Sequence, residues 1–420
     1  MPLGPDIAGR VLLLLTALGI PFCLLICLRW LRPNSTELAF LAFPWVWNKL
    51  FFKGNLAFLL GIGMSLLAYG WIRKDRVVWR VKDRILALFL CLLVYFCHGM
   101  AFGLLALILL VSCPWAPGKG WIRKLGEPLF ALLPGILLML GFLVRNDSPL
   151  LGTNMILDHS TISFGHWVGK ILRLESFLWS FHPGEWELGK LWMILAFLLW
   201  MAGMFQIRRN APHIVVFLTL FLLYLVCPLN MFPLVRPHER VFWFMFFFSP
   251  LTMEIPWKAG WMRPCIPVSC CGLLIAQSLI VGMICRDLSE RLEASRDLFR
   301  ALPERECLVS IGEIAPAFGD IKYGSHLESY YILDRKGTVR SLFSRSYQLI
   351  QYRDGLRFRP GHPPLDDPFL LSCSFCLVWH GPIPVEYCMQ SLGFHPFLSA
   401  GQTAIFRSVD REDINWEVEP

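Results

Sequence analysis

The chain has 420 residues, of which 55% are hydrophobic and only 17% charged, with a mean hydropathy of +0.53. A soluble domain usually carries about 25% charged residues, so an ordinary soluble globular protein is excluded and a polytopic membrane protein is expected. The formal net charge of +8 is not a nucleic-acid signal, because much of it lies in short loops beside apolar runs, where positive charge sets membrane orientation.

The first apolar run, Val11 to Leu31, is about 21 residues, long enough to span, and no cleavable signal peptide is read at the N-terminus. Arg32 to Lys53 follows, with Pro44, Trp45, Trp47, Lys49 and Lys53 breaking any regular span. It reads as an interfacial or re-entrant segment with aromatic anchors. Asn55 to Ile72 is the next span. Arg73 to Arg84 then carries six basic residues against two acidic ones, the strongest positive-inside signal in the chain, and is expected in the cytoplasm.

Ile85 to Pro114 is about 30 apolar residues interrupted by His98-Gly99. Its far end is again basic (Lys119, Arg123, Lys124), so an even number of crossings is required between the two basic stretches. Two short helices turning near His98-Gly99 satisfy that; one strongly tilted helix is the alternative. His98 at such a turn reads as a packed, hydrogen-bonded residue rather than a haem ligand.

Pro128 to Val144 spans outward. Arg145 to Lys190 forms a long external segment of about 46 residues. Within it, Phe164 to Phe181 has the pattern of an amphipathic surface helix, with Trp167, Ile171, Leu174, Phe177 and Leu178 on one side. Asp158-His159 is its most chemistry-like pair, a carboxylate beside an imidazole, suited to acid–base work; solvated surface residues are the plainer reading. Leu191 to Ile207 returns inward to Arg208-Arg209, and Ile214 to Leu229 goes out again.

Val235 to Pro250 is the densest feature. Arg236, His238, Glu239 and Arg240 cluster around Pro237 and are followed at once by an aromatic run. Charge beside hydrocarbon is costly unless paired or functional. Two arginines and a histidine suit an anionic head group, since the planar guanidinium fork matches a phosphate. A loop of interfacial anchors, with Glu239 pairing an arginine, is the plainer reading. Val241 to Ile255 then comes back to Lys258 and Arg263, and Cys265 to Cys285 leaves.

The expected architecture is a membrane all-α polytopic bundle of about nine transmembrane helices over residues 1–285. A small extracytoplasmic α/β domain is expected over 286–420, with the N-terminus cytoplasmic and the whole in the inner (plasma) membrane. In the tail, Asp287 to Arg300 reads as a charged helix running off the last span. Strands are expected at Cys307–Ile311, Thr338–Leu342, Pro368–Trp379 and Thr403–Val409, and helices at Ser325–Leu333 and Val385–Leu392. No Gly-rich phosphate loop, G-x-S-x-G or H-E-x-x-H motif occurs. Of 14 cysteines, ten lie at or before Cys285, where cysteine behaves as a small hydrophobe. Cys373-Ser-Phe-Cys376 has C-x-x-C spacing without a second such pair, so neither metal nor cofactor is expected.

The stretch from Pro44 through W-V-W-N-K-L-F-F-K-G-N-L-A-F-L-L-G-I-G, the basic loop, and L-L-V-Y-F-C-H-G-M-A-F-G ending at Gly103 resemble bacterial membrane proteins of the GT-C glycosyltransferase superfamily. So does a small extracytoplasmic domain after the final span. The resemblance covers Pro44 to Arg286 and rests on hydrophobicity patterns with Gly, Asn and His landmarks. It implies transfer of a sugar from a polyprenyl-phosphate donor on the outer face. Relative to that superfamily, the front portion with its acidic catalytic loop is expected to be absent. The first external loop offers only Glu37, in N-S-T-E-L.

The transferase reading assigns Arg236 and Arg240, with His238 and Glu239, to the donor phosphate. It assigns the base to Glu37, or to Asp158 with His159. The second reading is a non-catalytic scaffold or accessory subunit of a larger membrane or cell-surface complex. Partners under these readings are membrane lipids, a polyprenyl-phosphate sugar donor and other membrane subunits, with no nucleic acid. A transporter ranks lower, since few charges fall within the spans and no inverted repeat is seen.

Overall fold

The computed structural model describes residues 5–52, 54–74, 79–113, 121–145, 167–168, 170, 207–227, 230–231, 234–235, 237–255, 262–304, 307–311, 317–318, 321–322, 338–339, 375–379, 394–400 and 403–408. The chain divides into two compact units, Met1–Ser278 and Leu279–Pro420.

The first unit is helical. Its elements are α1 (Pro5–Leu31), a 3-10 segment (Pro33–Leu41), α2 (Ala42–Val46), α3 (Lys49–Phe52), α4 (Leu56–Arg73), α5 (Val81–Cys97), α6 (Gly99–Val111), α7 (Trp121–Arg145), α8 (Ile207–Val226) and α9 (Pro237–Phe248). A second 3-10 turn, Ser249–Thr252, follows α9, and α10 (Met262–Ala301) begins in this unit. Among the described residues three helices are long and apolar enough to cross a membrane: Gly9–Leu31, Leu56–Arg73 and Arg263–Met283. Gly99–Val111, Leu125–Gly141 and Pro212–Val226 are shorter apolar helices.

α4 is the hub. Of its apolar window 61% is buried, against 39% for α1 and 22% for α10. Small residues let its neighbours approach closely, as in membrane helix packing generally. A Cβ at Gly61 would lie 2.8 Å from Ala101 Cβ on α6, and one at Gly70 would lie 2.9 Å from Cys27 Sγ and 3.1 Å from Cys27 Cα on α1. The outward faces of α1, α7 and α10 carry exposed Leu14, Phe22, Leu137, Val268 and Met283, the apolar surface that hydrocarbon covers.

Direction along the bundle follows from these contacts. Gly63 faces Ile20 and Cys23, while Gly70 faces Cys27 and Trp30, so α1 and α4 run parallel. The chain from Arg32 to Asn55 must therefore travel back along the full length of α4, about 27 Å for its 18 residues. The expectation of an interfacial or re-entrant Arg32–Lys53 segment is corrected. Leu41, Ala42, Trp45, Val46 and Leu50 are buried, and the segment joins opposite ends of the bundle through its interior. Departures from helical geometry at Ser35 and at Trp47–Asn48 divide it into short helices. Asn48 stabilises the break, donating to Trp45 O at 2.7 Å and accepting from Leu50 N at 2.8 Å and Phe51 N at 3.1 Å.

The 85–114 run does turn at His98-Gly99, as α5 and α6. Both outer ends meet the Arg73 end of α4: Arg73 Nη2 donates to Ser112 O at 2.6 Å, and Trp71 Nε1 donates to Asp83 O at 3.1 Å. Arg84 then grips Glu127 of α7 with two bonds, Nη2 to Oε1 at 2.8 Å and Nε to Oε2 at 3.1 Å. The two basic stretches around Arg73–Arg84 and Arg123-Lys124 thus share one end of the bundle, as the even-crossing argument required.

In the second unit α10 continues to Ala301, and its surface ion pairs include Arg286–Glu290 at 3.2 Å. Strands numbered in chain order are β1 (Asn230–Met231) and β2 (Leu234–Val235) in the first unit. In the second they are β3 (Cys307–Ile311), β4 (Ala317–Phe318), β5 (Ile321–Lys322), β6 (Thr338–Val339), β7 (Phe375–Trp379), β8 (Phe394–Ala400) and β9 (Thr403–Ser408). Five of them form a mixed sheet in the order β6-β3-β7-β9-β8, parallel across β6, β3 and β7 and antiparallel across β7, β9 and β8. Phe375 and Ile405 are buried in it. The strands expected at 307–311, 338–342, 368–379 and 403–409 all contain observed strand. The helices expected at 325–333 and 385–392 lie outside the described residues.

Candidate functional site

The charged knot starts α9. Pro237 suits the first helical turn, where no backbone N–H is needed, and Glu239 lies where a carboxylate complements the helix dipole. His238 and Glu239 are each 4% exposed. Arg240, the next residue, is half-buried at the N-terminal end of α4. Its Nη2 donates to Asn55 Oδ1 at 3.3 Å, and its Cζ sits 6.0 Å from the Phe58 ring. Phe58 meets His98 edge-on at 5.1 Å. His98 Nδ1 accepts from Met100 N at 3.1 Å, capping α6; with Nδ1 accepting, the neutral ring carries its proton on Nε2.

The helix breaks explain this assembly. The α5–α6 turn, the start of α4 and the start of α9 all fall at one level, so residues distant in sequence converge there. No carboxylate lies within ion-pair distance of Arg240 among the described residues. The corner therefore presents a guanidinium with donors to spare, an amide and an aromatic shelf. That set attracts an anion.

Lys170 joins the same end of the bundle. Only 4% exposed, it donates to Tyr224 O at 3.1 Å, Leu225 O at 2.9 Å and Cys227 O, and Tyr224 Oη donates back to Lys170 O at 3.1 Å. A lysine there satisfies the carbonyls left open at the end of α8 and opposes the helix dipole. Burial pushes its ammonium below the ordinary lysine value, and Cys227 opposes that shift.

The opposite end holds a second polar group. Arg32 pairs with Glu254 at 3.4 Å, Ser35 Oγ accepts from Ile255 N at 3.1 Å, and Tyr69 Oη and His213 Nδ1 share a hydrogen bond of 3.0 Å. Glu37 sits at this end, two residues past Ser35. Its Oε2 is buried and has no hydrogen-bond partner among the described residues. The length of α4 separates Glu37 from Arg240, so the structure does not bring these two expected site residues together. Arg236, Asp158 and His159 lie outside the described residues.

Sequence reasoning missed Asn55, Phe58 and Lys170. Asn55 had a signal, an Asn directly before an apolar helical run; Lys170 had none, being one cation in a long polar segment. No metal-binding group of His, Cys, Asp or Glu occurs among the described residues. Comparison with known proteins gives no matching family model, no matching curated protein and no matching solved structure.

Proposed function

We propose that this chain is an integral membrane protein that receives an anionic lipid head group at Arg240. In its fuller form the proposal is a glycosyltransferase-like protein acting on a polyprenyl-phosphate-linked sugar at the outer face. The observation that supports it is the half-buried Arg240 guanidinium, held against Asn55 and Phe58 with no ion pair among the described residues. A cation held at a membrane protein's end with no carboxylate in ion-pair contact among the described residues, although Glu239 lies next to it in sequence, favours a ligand that supplies a direct partner.

In this reading the chain crosses the bilayer about nine times or more and carries an extracytoplasmic α/β domain after the last span. The Arg73–Arg84 segment faces the cytoplasm, and Arg240 faces outward. The shared direction of α1 and α4 then carries the N-terminal end to the outer side, which revises the expectation of a cytoplasmic N-terminus. Glu37 falls on the cytoplasmic side and leaves the catalytic role, so Asp158 with His159 supplies the base.

The remoteness of Glu37 also favours a second reading, an accessory subunit that binds lipid without turnover. One experiment serves both. Purified full-length protein is titrated with polyprenyl phosphate and with the matching polyprenol. Tighter binding of the phosphate is expected, and Arg240→Ala should weaken it about tenfold to a hundredfold, as for a charge-assisted bond. Equal binding of phosphate and alcohol by the wild-type protein would remove Arg240 as an anion site. Release of polyprenyl phosphate from a polyprenyl-phosphate sugar then supports transfer, whereas phosphate-selective binding without release supports the accessory role.

A further inference from the structure

Between Leu59 and Ile72 the residues of α4 are buried except at Leu60, Met64, Leu67 and Trp71. These recur at intervals of three and four, so they form one stripe along the helix. Lys74, half-buried at the end of α4, continues it. With a rotation of about 100° per residue, the stripe runs between two sets of neighbours. Gly63 and Gly70 face Ile20 and Cys27 of α1 on one side, and Gly61 faces Cys97 of α5 and Ala101 of α6 on the other. Phe22 of α1 and Leu86 and Phe89 of α5 are exposed, so the flanks are open and apolar. α4 is thus the floor of a shallow apolar groove, about 21 Å from Leu60 to Lys74, longer than the hydrocarbon of one leaflet at about 15 Å.

One end of the groove is aromatic and basic. Trp30 and Trp71 meet there at 5.3 Å, and Lys74 Nζ lies 5.9 Å and 6.0 Å from their ring centres. Trp71 Nε1 donates to Asp83 O at 3.1 Å, which holds the first turn of α5, with exposed Arg80 and Lys82, beside the same pair. Arg29, the residue before Trp30, is also exposed. Arg29, Lys74, Arg80 and Lys82 make no ion pair among the described residues. Of the acids nearby, Glu127 is taken by Arg84, and Asp83 Oδ2 accepts from Arg80 N at 3.0 Å. Indole rings settle at the head-group level of a bilayer, and a cation–π contact holds an ammonium in place without neutralising it.

We infer that this groove binds an anionic phospholipid, its acyl chain running from Leu67 toward Leu60 and its phosphate at Lys74, between Arg29 on the α1 side and Lys82 on the α5 side. Charge and shape together select the occupant. The unpaired cations attract an anionic head group and repel the ammonium of a choline lipid. Free phosphate meets the cations and leaves the floor bare, whereas an apolar transmembrane helix covers the floor and leaves the cations unmatched. A lipid with a net negative head satisfies both. The groove's basic end lies at the opposite end of α4 from Arg240, so the inference stands without the anion-binding reading of that corner.

Native mass spectrometry of the full-length protein in dodecyl maltoside tests it, with phosphatidylglycerol and phosphatidylcholine of the same acyl chains titrated in turn. Phosphatidylglycerol should bind about tenfold more tightly. Lys74→Gln and Lys82→Gln should each weaken its binding about fivefold, the effect of one basic residue near an anionic head group, and leave phosphatidylcholine unchanged. Lys74→Arg, which keeps the charge, should retain most of the affinity. Leu67→Trp, which fills the floor, should weaken both lipids. Equal affinity for the two lipids, or a preference that survives Lys74→Gln combined with Lys82→Gln, overturns the head-group assignment. Unchanged binding of both lipids by Leu67→Trp overturns the groove. Inorganic phosphate that displaces phosphatidylglycerol at equal concentration overturns a lipid as the occupant, as does a co-purifying membrane protein that excludes it. Lys82 is exposed and makes no ion pair among the described residues, so Lys82→Gln carries the comparison if Lys74→Gln fails to fold. The series is repeated in the Arg240→Ala protein. A preference for phosphatidylglycerol that persists there and is lost with Lys74→Gln belongs to this groove, and one lost with Arg240→Ala alone belongs to the other corner and overturns the inference.

Discussion

Trp30 and Trp71 meet edge to face at 5.3 Å, and the Lys74 ammonium lies 5.9 Å from the first ring and 6.0 Å from the second. These residues close the C-terminal ends of α1 and α4, so both helices finish at the same end of the bundle. The N-terminal end of α1 and the Arg73–Arg84 segment must then lie at opposite ends. An epitope inserted beside Ile7 and another inserted between Asp75 and Val78 should be accessible from opposite sides of sealed membrane vesicles. Accessibility of both from one side would contradict the parallel packing.

The glycines of α4 test the same packing energetically. At Gly70 a new side chain meets the Cys27 backbone, which cannot swing aside. Gly70→Val should therefore lower stability by about 1–3 kcal/mol, the usual effect of overpacking. At Gly103 of α6 a Cβ would meet no neighbouring side chain within 4 Å, so Gly103→Ala should be neutral or stabilising by about 0.5–1 kcal/mol. Thermal unfolding in detergent measures both, and equal effects at the two positions would show that α1 and α4 are not in close contact.

The parallel pair marks where the sequence stops being legible. Two apolar runs separated by a short segment read most simply as antiparallel neighbours, and the prolines and tryptophans of Arg32–Lys53 read as interfacial anchors. A broken traverse has neither a helical period nor a span's length, so nothing local announces it. The error propagates to Glu37, which counting crossings assigns to the outer face. By contrast, His98-Gly99 is a local interruption between two basic stretches, and the α5–α6 turn is readable from charge alone. In the tail, β8 escapes sequence reasoning because Pro396 argues against a strand interior. The structure places β8 at the sheet edge with a register shift between Pro396 and Leu398, where a proline is tolerated.

Arg32 and Glu254 are 222 residues apart in sequence, and no spacing rule predicts their pairing. Their side chains are 6% and 10% exposed. Removing one partner of such a pair strands the other charge and costs about 3–5 kcal/mol, whereas replacing both with apolar groups is often neutral. Arg32→Met and Glu254→Leu should each destabilise strongly, and the double variant should be more stable than either single one. Additive losses would show that the two charges are not coupled.

Lys170 ties a segment remote in sequence to the last carbonyls of α8, and through that helix end to the β1–β2 hairpin and the start of α9. Lys170→Met keeps the apolar stem and removes the three donated bonds, so it isolates the cap from the packing. A loss of about 1–2 kcal/mol is expected from the uncapped carbonyls and the unopposed dipole. Lys170→Arg keeps the charge but replaces a compact ammonium with a planar fork, and it should recover only part of that loss. Hydrogen exchange distinguishes this from a general weakening: faster exchange should be confined to the last turn of α8 and the first turn of α9, with α4 and α6 unchanged. Faster exchange spread through α4 would mean that Lys170 supports the whole bundle rather than this helix end.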